Sequence, residues 1–460
     1  MSGAPRGRGP NVILLVLDSV RADHLSCYGH ERPTSPHIDR VAEAGIRYDR
    51  AYTASCWTLP SHASLFTGLY PSRHRTDFDT KALTEGIETC ASFLSKQGYA
   101  TASFSCNAFV GRHTDLARGF DVAADVEGLM GGGASFVGRA VRAAHRTVRR
   151  TFQKDRGADR AWRMARRWLS ETGDRPFFMF MNFMDCHLPY RLSADKLLHF
   201  VEPARRAEVA RIPMDPFGAM AGKHAYQPQD IEDLKAMYDG ALRYLDGMVG
   251  ALDAHLTALG RQNDTLLIIT SDHGESFGEH GLFDHQYGLY EPLVRVPLVV
   301  RGPDLDSGRI EEGLAQLVDV FPSIARLLGR EGPVGDPSAS DTLFSGPDRD
   351  FAASEYLVPN VAAIQRRFPG TDTSRFESAI RSIRDERYKC IVRRDGRTEL
   401  YDLASDPEEL HNLFEREPDR AGEMISLLED RLGPWPSDLS AGAEGGLDPL
   451  RERLEQLGYL

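Results

Sequence analysis

Cysteine is scarce in this chain and never paired at short range. Cys27, Cys56, Cys90, Cys106, Cys186 and Cys390 are scattered over 460 residues. That spacing excludes a disulfide-stapled scaffold and a zinc ribbon, and it points to reduced thiols in a cytoplasmic protein. No apolar run approaches the length of a membrane span; 12–17 is only strand-length. The N-terminal stretch 1–10 is polar with arginines, and no signal-type apolar segment and cleavage site follow it. A basic excess is also missing: 55 Lys and Arg stand against 67 Asp and Glu, a formal charge of -12. A general nucleic-acid binder is therefore excluded, and a soluble protein is favoured. There is no internal repeat. What remains is a chain too long for one small core, which implies a large α/β domain with an appended subdomain, or two to three domains.

The patterning supports the first arrangement. Residues 11–17 form a continuous apolar run ending in Asp18-Ser19, as expected of a strand buried on both faces with a carboxylate at its C-terminal edge. Further strands are expected at 46–52, 99–106, 177–183, 265–270 and 295–300, with amphipathic or core-facing helices at 86–97, 228–259 and 318–328. This alternation predicts an α/β fold with a mostly parallel central sheet flanked by helices. After Pro333 a Gly/Pro/Ser/Asp-rich linker leads to short alternating segments at 351–356, 378–384, 388–394 and 398–403, an antiparallel meander, and then a polar helix at 418–432. We divide the chain into a catalytic domain, 1–345, and a C-terminal subdomain, 346–460. A basic helical insertion is expected at about 128–173, where Gly131-Gly132-Gly133 precedes a run of arginines from Arg139 to Arg167. That run reads as a solvated face, or alternatively as a surface that attracts an anionic substrate or an anionic membrane.

Chemistry-bearing residues collect where the strands end. Thr58-Leu59-Pro60-Ser61-His62 opens a helix that Gly68 is placed to stop. Helix N-termini bind anions, so a hydroxyl there, followed by His62, suits a nucleophile attacking a phosphoryl or sulfuryl ester. An N-capping threonine would look the same. Asp18 sits at the edge where ligands of open α/β sheets gather, although it would also serve to cap a turn. The 177–183 strand delivers Asp185-Cys186-His187 to that edge, and the 265–270 strand delivers Ser271-Asp272-His273-Gly274-Glu275. An adjacent carboxylate and imidazole at a strand end can reach one cation. A glycine-punctuated loop then carries Gly278-Glu279-His280-Gly281 and Asp284-His285.

In this order and spacing the pieces resemble the sulfatases of the alkaline phosphatase superfamily over nearly the full length. The matching stretches run from Val12 to Asp18, from Thr58 to Gly68, from Asp185 to Tyr190, from Ser271 to Glu275, from Tyr290 to Leu298 and from Glu399 to Pro407. The resemblance implies an alkaline phosphatase-like fold and one divalent metal ion held by Asp18, Thr58, Asp272 and His273. The family's His before Pro-Tyr falls on His187, and a Lys or His that contacts the ester oxygens falls near His285.

Two departures shape the expected chemistry. The family's formylglycine-forming Cys falls on Thr58 and its Arg on His62, and a threonine cannot become formylglycine. The second of two consecutive Asp residues is here Ser19, which leaves Ca²⁺, Mn²⁺, Mg²⁺ and Zn²⁺ all open. Thr nucleophiles are familiar in the same superfamily among phosphodiesterases and phosphoglycerol transferases. The reading is a hydrolase of a small anionic phosphate or sulfate ester, phosphoryl favoured, with Thr58, His62, His187 and His285 as its catalytic groups. A head-group transferase and a non-catalytic binding protein of the same fold are the alternatives.

Overall fold

The computed structural model describes residues 9–126, 155–330 and 334–437. Its central sheet comprises β1 (Asn11–Leu17), β2 (Ile46–Tyr52), β3 (Ala100–Ser105), β4 (Val122–Asp125), β5 (Phe177–Phe183), β6 (Thr265–Thr270), β9 (Arg295–Val296), β10 (Leu298–Arg301) and β11 (Arg309–Gln316). A two-stranded hairpin, β7 (Ser276–Phe277) and β8 (Phe283–Asp284), stands apart from it. The strand order is β11-β2-β10-β6-β1-β5-β3-β4, with β9 beside β2. β1 lies between β5 and β6, parallel to both. Val12 to Leu17 are consequently buried on both faces, which is why the run is apolar without alternation.

The expected strand at 295–300 is split in two. Pro297 has no N–H to give a ladder, so β9 stops before it and β10 begins after it. β10 is antiparallel to both β2 and β6, making the sheet mixed but mostly parallel.

Helices cover both faces. Four matter for the site: α1 (Pro36–Glu43), α2 (Thr58–Thr67), α3 (Ala158–Glu171) and α4 (Pro228–Ala258). All of α2 is buried, so it is an internal strut with no solvent face. α3 lies within the expected basic insertion. It buries Ala158, Ala161, Trp162, Ala165 and Leu169 and turns Arg160, Arg163, Arg166 and Arg167 to solvent. The glycine cluster and the arginines from Arg139 to Lys154 fall outside the described residues. Arg156, from the same run, is instead fully buried, with Nη2 donating to the Leu188 and Pro189 carbonyls at 3.2 and 2.9 Å.

Beyond the linker, β12 (Ala352–Tyr356), β13 (Ile380–Arg384), β14 (Tyr388–Arg393) and β15 (Thr398–Asp402) form an antiparallel sheet in sequence order, and α5 (Pro418–Leu432) packs on it. β12 docks on the segment that leads into α2. The Glu355 amide donates to the Ala54 carbonyl at 2.8 Å, and Ser354 Oγ donates to the Thr53 carbonyl at 2.6 Å. Glu355 is in turn fixed by Arg381 Nε at 2.8 Å and by the Ser72 amide at 2.7 Å.

The long helix α4 carries carboxylates on its buried stripe, each with partners. Asp246 accepts from the His37 and Ile38 amides at the start of α1, both at 2.9 Å. Asp239 gathers the loop that follows β1: His24 Nδ1 at 2.6 Å, His30 Nε2 at 3.0 Å and Arg32 Nη1 at 2.7 Å. With Arg32 on the same carboxylate, this is an ion-paired tie and not an open cation site. Burial opposes ionisation of Asp239, but the His24, His30 and Arg32 contacts outweigh it and hold its carboxyl below the usual range. A depressed carboxyl pKa stabilises the fold above the unfolded value, near 4, and that contribution is lost as pH falls. We therefore expect Asp239→Asn to cost about 3–5 kcal/mol at neutral pH in urea denaturation, the usual effect of breaking a buried pair. The gap between wild type and variant should narrow below pH ~4. A constant gap from pH 7 to 3 would show that the charge is not what matters.

Candidate active site

Five elements meet at the C-terminal edge of the sheet. β1 leads into Asp18, β6 runs on into Asp272 and His273, β3 is followed by Asn107, β5 contributes Asn182, and α2 begins at Thr58. Asp18, Thr58, His62, Asn182, Asp272 and His273 are wholly buried, and Asn107 is buried as well. Ser19 takes a left-handed conformation, φ 62°. This turns its amide onto Asp272 Oδ1 at 3.3 Å and leaves its hydroxyl on Asp18 Oδ1 at 3.2 Å. The residue that replaces the family's second aspartate thus ties the two carboxylates together.

Thr58 is the first residue of α2; Trp57 occupies the capping position, with no side-chain cap bond. The capping reading of Thr58 is therefore not what is seen. Its Oγ1 lies 3.4 Å from His273 Nε2 and accepts from Asn107 Nδ2 at 3.3 Å, while the same Nδ2 donates to Asp18 Oδ2 at 2.8 Å. Asn182 Nδ2 reaches that Asp18 oxygen at 3.3 Å. Sequence reading passed over both asparagines. The available signals were a polar residue just beyond the end of β3 and the single polar side chain in the run Phe177–Phe183.

The imidazoles are oriented from behind. His273 Nδ1 donates to the Gly274 carbonyl at 2.9 Å, which leaves the Nε2 lone pair facing Asp18, Asp272 and Thr58. His62 Nδ1 donates to the Thr58 carbonyl at 2.9 Å, and its Nε2 is buried without a hydrogen-bond partner. His285 stacks on His273 at 4.3 Å between centroids and meets His187 edge-on at 4.8 Å. His187 and His285 therefore join the cluster around Thr58. His280 does not: it stacks on Tyr290 at 3.6 Å. Glu279 is taken by Arg21 at 2.6 Å, and Arg295 donates to the Asp49 carbonyl at 2.8 Å.

The electrostatics are compatible with a cation site. Ligand atoms of Asp18, Asp272 and His273 lie within 4.8 Å of one another. Asp272 Oδ2 has His273 Nε2 at 3.4 Å and His62 Nδ1 at 3.5 Å but no hydrogen-bond partner. Burial, and then the charge of Asp18, push the Asp272 carboxyl well above the carboxylate range. Burial and His285 push His273 well below its ordinary value, and burial lowers His62 to about 4. Desolvated carboxylates beside neutral imidazoles, with one oxygen left over, are the donor set a divalent cation requires, so the residues fit one.

Among the described residues no helix is long and apolar enough to cross a membrane. Comparison with known proteins gives a consistent answer. The chain is similar to arylsulfatase K from Xenopus laevis, 24% identical over 461 residues and covering 93% of this chain and 83% of that protein. It is similar also to the multifunctional alkaline phosphatase superfamily protein PehA from Trinickia caryophylli, 26% identical over 467 residues, with 88% and 91% covered. In fold it resembles the phosphonate monoester hydrolase of Agrobacterium radiobacter, TM-score 0.69 at 24% identity, covering 92% of this chain and 94% of the other. The sulfatase family profile matches residues 10–330. The chain is a hydrolase that belongs to the sulfatase family, with a threonine and not a formylglycine-forming cysteine near its catalytic site.

Proposed function

We propose that this protein is a metal-dependent hydrolase of small phosphoryl esters that uses Thr58 as its nucleophile. The observation that carries the reading is the position of Thr58 Oγ1, at the buried start of α2 between His273 Nε2 and Asn107 Nδ2. Asp18, Asp272 and His273, with the Thr58 oxygen, would hold the divalent cation, which lowers the pKa of the hydroxyl and neutralises charge on the transferred group when bound.

The chain's own groups do the rest. Asn107 fixes the Thr58 oxygen against Asp18, and backbone N–H groups at the start of α2 face the anionic end of the ester. Thr58 Oγ attacks phosphorus as its proton passes to an imidazole among His62, His187 and His285, the bond to the leaving oxygen breaks, and the imidazolium so formed gives that proton to the leaving oxygen. Water then attacks the same phosphorus, the P–O bond to Thr58 breaks, and the hydroxyl is restored. His187 and His285 would stabilise charge on the ester oxygens.

Threonine chemistry favours phosphoryl over sulfuryl esters. A formylglycine hydrate releases sulfate by collapsing to an aldehyde with cleavage of its own C–O bond. A threonine ester has no geminal hydroxyl, so release depends on water attacking the transferred centre, a step well suited to phosphorus. The similarity both to an arylsulfatase and to a phosphonate monoester hydrolase fits a site of this general type.

Two outcomes test the reading. Thr58→Ala should lose at least about 10³-fold in kcat and Thr58→Ser should retain measurable turnover, and an aryl phosphate should outpace the matched aryl sulfate. A faster sulfate, or near-normal Thr58→Ala, would refute it. Asp272→Asn should lower metal content and activity together; lost activity with full metal would mean that Asp272 is not a ligand.

A further inference from the structure

One buried cation has no counter-charge. Among the described residues five arginines are buried: Arg21, Arg156, Arg381, Arg384 and Arg393. Four of them have a carboxylate at 2.6 to 3.9 Å: Asp23 and Glu279 for Arg21, Glu355 for Arg381, Glu291 for Arg384 and Glu399 for Arg393. Arg156 makes no ion pair, although it is only 2% exposed. Its Nη2 is spent on the Leu188 and Pro189 carbonyls, while Nε and Nη1 have no hydrogen-bond partner. Arginine is almost never fully buried unless paired, and unfilled donors on a buried cation leave its desolvation uncompensated.

The fold nevertheless holds Arg156 firmly. Asp155 accepts from the Gly157 and Asp159 amides at the start of α3, at 2.8 and 3.0 Å, and from the Tyr244 hydroxyl on α4. The Arg156 amide donates to Asp185 Oδ1 at 2.8 Å. Asp185 thus engages the backbone of Arg156 and not its guanidinium. Burial, and then the charge of Asp155, push the Asp185 carboxyl up to about 7, so it is a weak counter-charge. The position links the guanidinium to the active site. His187 Nδ1 donates to the same Leu188 carbonyl that accepts from Arg156 Nη2, and His187 belongs to the cluster around Thr58. In the same turn the Tyr190 hydroxyl is buried with no hydrogen-bond partner.

We propose that Arg156, with the Tyr190 hydroxyl, binds a second anionic group of the substrate, a carboxylate or a further phosphate carried by the alcohol part of the ester. The inference rests on the phosphoryl-ester reading of the Thr58 site and narrows its substrate class. Arg156 Nε and Nη1 donate to the anion, forming charge-assisted hydrogen bonds that a neutral alcohol cannot replace. The bound anion supplies the counter-charge that the chain itself omits. Selectivity follows from the same balance, because an ester without that group leaves the guanidinium unpaired. Arg156 is a specificity residue and takes no part in bond breaking.

Matched substrates separate this role from a structural one. Full-length enzyme is assayed with meta- and para-carboxyphenyl phosphate against the neutral carbamoylphenyl phosphates, and with para-phenylene bisphosphate against para-hydroxyphenyl phosphate. In the wild type, kcat/KM should favour at least one anionic member by about tenfold or more, the two arms telling carboxylate from phosphate. That ratio should fall to about one in Arg156→Gln and to an intermediate value in Arg156→Lys, which keeps the charge but not the fork. Loosening of His187 would lower both members of a pair alike and leave the ratio unmoved. Circular dichroism establishes folding, and if Arg156→Gln is unfolded, Tyr190→Phe is read in its place, with a fall of about threefold in the ratio expected. A ratio near one in every wild-type arm, or a ratio that survives the variant read, overturns the anion subsite, while turnover of the neutral aryl phosphates leaves the proposed function standing. No turnover of any aryl phosphate overturns both.

Discussion

The mutual repulsion of Asp18 and Asp272 is the constraint on which the rest of the structure depends. Both carboxylates are wholly buried, and the sheet brings them together because β1 and β6 are adjacent parallel strands that end at one edge. At such separations two like charges would repel by roughly 3–4 kcal/mol even at an effective dielectric near 20, which adds to burial in pushing the Asp272 carboxyl well above the carboxylate range. Neutral donors from Asn107, Asn182 and Ser19 soften this without cancelling it. The fold thus holds ready a pair of buried carboxyl groups whose joint ionisation a cation would favour, and it sets a hydroxyl beside them.

Holding that arrangement takes contributions from distant parts of the chain. The helix that begins with Thr58 is buried on every side, so Thr58 cannot drift from the strand ends without unpacking the core. Ahead of it, Thr53 and Ala54 are bonded to the second strand-bearing unit through Ser354 and Glu355. Ser61 Oγ, one turn into the helix, donates to the Asp272 carbonyl at 2.6 Å. The helix that begins with Thr58 and the loop that carries Asp272 and His273 are therefore positioned against each other by a direct hydrogen bond, the preorganisation that catalysis by alignment needs. The C-terminal sheet braces the segment that leads into Thr58.

Much of this was legible in the sequence, for a physical reason. Asp18, Asp272 and His273 each follow a strand buried on both faces, whose uninterrupted apolar run makes the first polar residue after it conspicuous. His187 and His285 were likewise visible as polar residues in turns beyond strands. Asn107 and Asn182 were not, because a neutral amide at a strand end resembles any turn residue, and Asn182 lies within its strand. Ser19 looked like a lost ligand, and only its left-handed backbone reveals how it links the two carboxylates. Arg156 was grouped with solvated arginines, whereas tertiary packing draws it inside against the 188–189 carbonyls. The split of the strand at Pro297 was available from proline chemistry alone.

The proposed mechanism requires the Thr58 hydroxyl to become covalently bonded to phosphorus during turnover. Acid quenching of the enzyme mixed with excess aryl phosphate on the millisecond timescale, followed by peptide mass spectrometry, tests this most directly. A phosphoryl group is expected on the peptide that contains Thr58, localised to that residue and appearing no later than the first product. Quenched enzyme that has released aryl alcohol yet carries no phosphoryl group on Thr58, with the label on a histidine or absent, would contradict it.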